Sequence, residues 1–293
     1  MTIGVPFDSV GRSGGTETAP STLRELGLPE ALGARDEGDL PVRIRGEERD
    51  PDTGLVASAD VLESTAKIRR AVATSIAAGE RPFLLGGCCA ELPGALAGAR
   101  DALGAPLGLA HVDGHLDLYD GRTSTTGEAA DMPISVALGL GPAAWVEIAG
   151  GATAVPARTA LVGFRDRAES IADGMRQPED LPDPPLLYGA EDLRARGIAA
   201  AAGELAERLA TGPFWLHLDV DVLDEAVFPA TDYLQPGGLD WDELAAVLAP
   251  LAASAELVGA SLACYNPEKD PDLACGRRLV RALAVRRPDS SGR

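Results

Sequence analysis

Two short segments concentrate side chains able to bind a metal. Asp113-Gly114-His115-Leu116-Asp117 holds two carboxylates and an imidazole, and Asp219-Val220-Asp221-Val222-Leu223-Asp224 adds carboxylates at alternate positions. Each segment follows a strongly apolar run, over 107–112 and 214–218. Side chains alternate between the two sides of an extended chain, so Asp113, His115 and Asp117 fall together at one strand tip. Asp219 and Asp221 do the same at the other. Gathering that many like charges at the buried end of a sheet is costly unless a cation neutralises them. Four carboxylates and an imidazole suit Mn, Fe or Zn. Taken alone, either segment reads equally well as a solvated loop. Their coincidence behind two apolar strands favours a metal centre.

The elements that must position these residues can be read from the apolar pattern. Strands are expected over 2–6, 42–45, 82–85, 107–112, 159–162, 186–188, 214–220 and 257–264. Helices are expected over 20–26, 59–78, 92–103, 134–140, 190–196, 198–210, 239–252 and 273–285. The 59–78 segment carries Val61, Leu62, Ile68, Val72 and Ile76 at helical spacing. Continuous apolar strands alternating with helices predict an α/β fold, three layers α/β/α around a mainly parallel sheet. One domain over 1–293 is expected, with the charged stretch 47–52 and the Pro-rich stretch 177–185 as surface loops. In such a sheet ligands bind at the carboxyl ends of the strands, where both segments lie.

Composition narrows the function. The chain has 293 residues, 45% apolar and 24% charged, which fits a folded globular protein. Its net charge of −19 argues against nucleic acid and anionic membrane as partners, since both are negative. Aromatic residues at 4% offer no platform for stacking bases. Apolar runs fall well short of the ~18 residues of a membrane span, and residues 1–15 lack a secretory pattern. Four cysteines (Cys88, Cys89, Cys264, Cys275) are too few for a disulfide scaffold, so a cytoplasmic location is expected.

The two segments, with others in order along the chain, resemble the ureohydrolase family of arginases and agmatinases. Asp113 to Asp117 resembles that family's DAHxD, and Asp219 to Asp224 its DxDxLD. Phe228-Pro229-Ala230-Thr231 and Pro236-Gly237-Gly238-Leu239 are similar to PATG and PGGL. Gly4-Val5-Pro6-Phe7-Asp8, Ala19-Pro20, Gly86-Gly87, Val162-Gly163-Phe164-Arg165-Asp166 and Asn266-Pro267 match further family segments. The resemblance implies hydrolysis of a C–N bond in a small guanidino, N-hydroxyguanidino or amidino compound, by attack of a hydroxide bridging two divalent metals. Manganese is the metal it implies. Asp113 and Asp219 would bridge, with Asp117 and position 89 completing the first metal and His115 with Asp221 the second. It also implies a homo-oligomer, trimer or hexamer.

Three positions depart from the family. Its GGDHS is Gly86-Gly87-Cys88-Cys89-Ala90, so the first metal's histidine is Cys89. A thiolate is softer than imidazole and favours Zn, Fe or Co; the plainer reading is a small buried hydrophobe. The family's GxxHGxP histidine is Ala130 within 127–133. Glu128 or Asp131 could replace it in proton transfer, contact a cationic substrate, or serve only the loop. Asp117, Glu128 and Asp131 are therefore the candidate catalytic carboxylates. The Glu before the final NP, which pairs with guanidinium, is Cys264. His111 and His217 share the ligands' strand face but sit deeper, which predicts satisfied core histidines. The loop over 8–17 is placed at the pocket mouth.

Two other functions compete with the hydrolase. One is a catalytically weak or inactive small-molecule binding protein on the same fold, motivated by the three changed positions. The other is a thiol centre built on the vicinal Cys88 and Cys89.

Overall fold

The computed structural model describes residues 1–10 and 14–284. Among them, eight strands form one sheet: β1 (Thr2–Val5), β2 (Asp36–Asp39), β3 (Phe83–Gly86), β4 (Leu107–Val112), β5 (Ala154–Val162), β6 (Leu186–Tyr188), β7 (Phe214–Asp219) and β8 (Leu257–Ala263). The order is β2-β1-β3-β8-β7-β4-β5-β6, and every pairing is parallel. The helices are α1 (Ala19–Glu25), α2 (Leu28–Ala31), α3 (Ser58–Ala77), α4 (Leu92–Leu103), α5 (Pro133–Ala137), α6 (Ala143–Ala149), α7 (Arg167–Ala172), α8 (Ala190–Arg196), α9 (Ile198–Leu209), α10 (Trp241–Ala252) and α11 (Ala274–Leu283).

Parallel strands need crossovers, and the helices supply them. α3 packs on α4 and α6, while α9 packs on α8 and α10. β4 contacts both α4 and α9, and every residue of β4 and β7 is buried. That double cover explains why these strands read as unbroken apolar runs. No helix among the described residues is long and apolar enough to cross a membrane.

The expected strand over 42–45 is not one. The edge strand is Asp36–Asp39 (DEGD), exposed and without strand-forming side chains. Pairing with β1 and the Arg24 guanidinium make it: Arg24 lies 2.8 Å from Asp36 and 2.5 Å from Asp39. The alternation of residues 42–45 mimicked a strand, but only Val42 among them is buried. The helix expected to begin at 239 starts two residues later. Leu239 bridges to Leu223 in parallel pairing, and Asp240 caps α10. The Asp240 carboxylate accepts from Glu243 N–H at 2.8 Å and the Glu243 carboxylate accepts from Asp240 N–H at 3.0 Å, a reciprocal capping box. The helix expected over 134–140 stops at Ala137, ahead of Gly139 at φ 77°. The last helix is described to Leu283, and residue 285 of its expected span lies outside the described residues. The short helices α2, α6 and α7 have no counterpart in the apolar pattern.

Candidate metal centre

β3, β8, β7 and β4 are consecutive in the sheet, and the candidate ligands lie at or just past their carboxyl ends. Cys89 opens a one-turn 3₁₀ helix, Cys89–Glu91, after β3. Gly87 permits this turn, because a Cβ there would fall 1.9 Å from the Phe7 carbonyl oxygen. Asp113, His115 and Asp117 follow β4, Asp219 ends β7 and Asp221 lies in the 3₁₀ turn Val220–Val222. The 162–166 segment ties these loops together. Arg165 Nη2 donates to the Asp221 carbonyl at 2.6 Å, and Asp166 accepts from Leu116 N–H at 3.2 Å.

One half of the cluster is rich in oxygen. His115 Nδ1 is 3.1 Å from Asp221 Oδ2 and 3.5 Å from Asp113 Oδ1. Backbone N–H groups orient these carboxylates: Gly114 donates to Asp221 at 3.0 Å, His115 to Asp113 at 2.7 Å and Asp221 to Asp219 at 2.8 Å. Asp117 adopts φ 50°, a strained conformation for a residue with a Cβ, of the kind that persists where surrounding structure demands it.

The other half carries sulfur. The Cys89 thiol donates to Asp219 Oδ2 at 2.6 Å and lies 3.6 Å from Asp113 Oδ2. Cys264 Sγ is 3.8 Å away and also sits at positive φ, 66°. His217 Nε2 is 3.3 Å from Cys89 Sγ, while its Nδ1 pairs with Ser261 Oγ at 2.7 Å. His217 is thus satisfied, as expected, yet it also borders the cluster. His111 is not satisfied. Neither ring nitrogen makes a hydrogen bond, although Nε2 stands 3.2 Å from Asp113 Oδ2 and 3.6 Å from Asp117 Oδ2. Its position two residues before Asp113 gave the right strand face but not its unmet ring.

Burial sets the electrostatics. It pushes the Asp117 and Asp219 carboxyls well above the ordinary range, and neighbouring acids push them further. Asp113 is raised by burial and by Asp221. Asp221 is buried too, but His115 beside it holds it below the usual value. Burial lowers the His111 and His217 imidazoles, keeping them neutral and competent as ligands. Asp117 Oδ2 and both His111 nitrogens are buried without hydrogen bonds. Orphaned donors of this kind fit a cation better than a hydrogen-bonded core. Three-residue sets with mutually close donor atoms are Asp113–His115–Asp221, His111–Asp113–Asp117, Cys89–Asp113–His217 and Cys89–Asp219–Cys264. The donor chemistry therefore fits divalent metal, hard on one side and softer on the other.

Beside the cluster, Asp8, Ser9, Val10, Thr16, Cys88, Ala130, Asp232, Tyr233 and Cys264 line a small pocket. The 8–17 loop contributes Asp8 to Val10 and Thr16; its residues 11–13 lie outside the described ones. Asp8 Oδ2 is buried and makes no hydrogen bond among the described residues. Glu128 accepts from the Tyr233 hydroxyl, which places it by this pocket and outside the ligand cluster. Asp131 accepts from Ser124 Oγ at 2.7 Å and Thr126 Oγ1 at 2.6 Å, so it braces its own loop. Glu268 is exposed and does not reach inward. The four cysteines form no disulfide, and burial raises the Cys88 and Cys89 thiols, opposite to what a thiol nucleophile needs. The 8–17 loop, expected at the pocket mouth, brings Asp8 there, whereas Tyr233 carried no motif of its own and reaches the pocket only through the chain path.

The profile described as the Arginase family matches residues 1–285. Arginase of Brevibacillus brevis is 25% identical over 295 aligned positions, which cover 96% of this chain and 95% of that protein. N(omega)-hydroxy-L-arginine amidinohydrolase of Streptomyces lavendulae is 30% identical over 238, covering 80% and 77%. The structure of arginase from Bacillus caldovelox superposes with a TM-score of 0.84 at 26% identity, over 97% of this chain and 96% of that one.

Proposed function

This chain belongs to the arginase family of C–N hydrolases, and from that premise we propose that it cleaves a small guanidino, N-hydroxyguanidino or amidino compound with two divalent cations bound. The observation that carries the reading is the convergence of Asp113, His115, Asp117, Asp219 and Asp221 with Cys89 at the ends of the central strands. Asp113 and Asp219 would stand between the cations. His115 and Asp221 would hold one, and Cys89 with Asp117 the other. When bound, a cation pair acidifies water and so supplies hydroxide as the nucleophile toward an electron-poor trigonal carbon. Manganese suits the oxygen-rich side.

The chain's own residues then select and orient the substrate. The carboxylate missing at Cys264 would be replaced from the loop that follows β1. Asp8, whose buried Oδ2 lacks a partner in the adjoining pocket, would meet the planar cation through a charge-assisted hydrogen bond. Glu128, held by Tyr233 at that pocket, would carry the proton to the departing amine. Asp131, committed to Ser124 and Thr126, would keep the Glu128 loop in place.

The test is turnover by the metal-loaded protein on a panel of guanidines, hydroxyguanidines and formimidoyl compounds. Urea, hydroxyurea or formamide released with the matching amine is the expected result. Stoichiometric metal with no product across the panel would replace this reading with a binding role.

A further inference from the structure

The cation position beside Cys89 has a donor that the family resemblance does not supply. Building on the two-cation reading, we infer that this position is a thiolate–imidazole–carboxylate site made by Cys89, His217 and Asp113, selecting a zinc-class ion over manganese. The three side chains come from different strand ends: the turn after β3, the interior of β7 and the tip of β4. Their donor atoms lie within 4.8 Å of one another. Cys89 Sγ is 3.3 Å from His217 Nε2 and 3.6 Å from Asp113 Oδ2. Tetrahedral zinc with ordinary Zn–S, Zn–N and Zn–O bonds has donor-to-donor edges of about 3.3–3.6 Å. The two edges to sulfur fall in that range, and the third, from His217 to Asp113, is within 4.8 Å.

The orientation of His217 supports the same assignment. Ser261 Oγ takes the Trp215 indole N–H at 2.9 Å and stands 2.7 Å from His217 Nδ1. A hydroxyl oxygen has two lone pairs, so it can accept from both. With Nδ1–H donated to Ser261, the Nε2 lone pair faces Cys89. Fixing one ring nitrogen to present the other is the usual arrangement behind a metal-bound imidazole. In effect the imidazole absent at position 89 is returned from position 217, one step deeper in the sheet. With Asp219, whose Oδ2 also lies beside Cys89 Sγ and which the two-cation reading shares between both positions, they make a four-donor set, the usual number at zinc. The opposite half offers oxygens and His115, so the two positions differ in softness.

Cobalt(II) reports on this without any activity. Full-length protein loaded with Co(II) is expected to show thiolate-to-cobalt charge-transfer absorption in the near ultraviolet, lost in Cys89→Ser. His217→Gln is expected to keep the absorption but weaken zinc binding at least ~10-fold. Its folding is checked by circular dichroism, and the wild-type spectrum decides the sulfur ligand whether or not that variant folds. After dialysis against equal Zn(II) and Mn(II), one zinc and one manganese per chain are expected. Two manganese ions per chain, cobalt bound without sulfur absorption, or unchanged zinc affinity in a folded His217→Gln would each overturn the inference while leaving the two-cation reading intact. No metal bound under any loading would sink both.

Discussion

The two halves of the centre were built by different routes. On the His115 side, three donors come from two contiguous motifs, and backbone N–H groups fix their carboxylates. On the Cys89 side, the donors come from three strands distant in sequence, and they border His111, whose ring makes no hydrogen bond among the described residues. The first half is local and rigid, and its chemistry is hard. The second is assembled only by tertiary contacts, and its chemistry is soft. The difference teaches that one side of such a donor cluster can differ in its donor atoms while the other keeps its oxygens, because separate strands carry them.

Removing a residue common to both halves should have the largest effect. Asp219→Asn is expected to lower kcat/KM by about 10³-fold, some 4 kcal/mol, with both metals weakened. Near-normal turnover would show that the halves work independently of Asp219. Removing one side at a time should separate them. Asp221→Asn is expected to leave one metal per chain on the sulfur side, and Cys89→Ser one on the oxygen side, by elemental analysis. Equal loss of both metals in either variant would break the comparison.

Substrate recognition is expected to lean on the Cys264 side. Asp8→Asn should raise KM for cationic substrates about 10–100-fold through loss of a charged hydrogen bond, with less change in kcat. An unchanged KM would move recognition elsewhere. Metal removal should expose the acids. Asp113 is pushed up to about 7 in the folded protein, and burial raises Asp117 and Asp219 as well. Carboxyls raised on folding contribute stability below their unfolded pKa near ~4 and lose it as pH rises through the folded value. His111 and His217, held below their unfolded value near ~6.5, oppose them over the acid part of the range, while Asp221, lowered, is ionised in both states there. Chelated protein should therefore lose about 5 °C of Tm between pH ~5 and ~8, and metal-loaded protein should not. A flat Tm after chelation would mean that the acids are satisfied without metal.

The smallest effect is structural. Glu91 is fully buried and its pKa is raised by that burial. Glu91→Met should stabilise the chain by about 1–3 kcal/mol, read from the denaturant midpoint. Because a raised carboxyl loses stability with rising pH, the gain should widen toward alkaline pH. A loss of stability instead would give Glu91 a partner that the fold conceals.

Much of this molecule was legible in its residues. The apolar runs at 107–112 and 214–218 marked two adjacent inner strands buried along their whole length, and the acids following them marked the oxygen half. Both are local: alternation along a strand sets direction, and a motif a few residues long carries its own geometry. Where local pattern and tertiary contact disagreed, contact prevailed. Residues 36–39 became an edge strand because Arg24 and β1 hold them, while the better-patterned 42–45 did not. In the sulfur half, the resemblance offered Cys89 beside Asp113 and Asp219, but the nearness of His217 lay beyond reach for the same reason. Cys89, Asp113, His217 and Cys264 are separated by tens of residues, and only the strand order β3-β8-β7-β4 sets their tips side by side. Residue type and spacing thus determined the fold class and the oxygen-rich half of the donor cluster. Sheet order and burial decided which distant thiols, imidazoles and acids meet, because those distances are fixed by packing between strands and not along them.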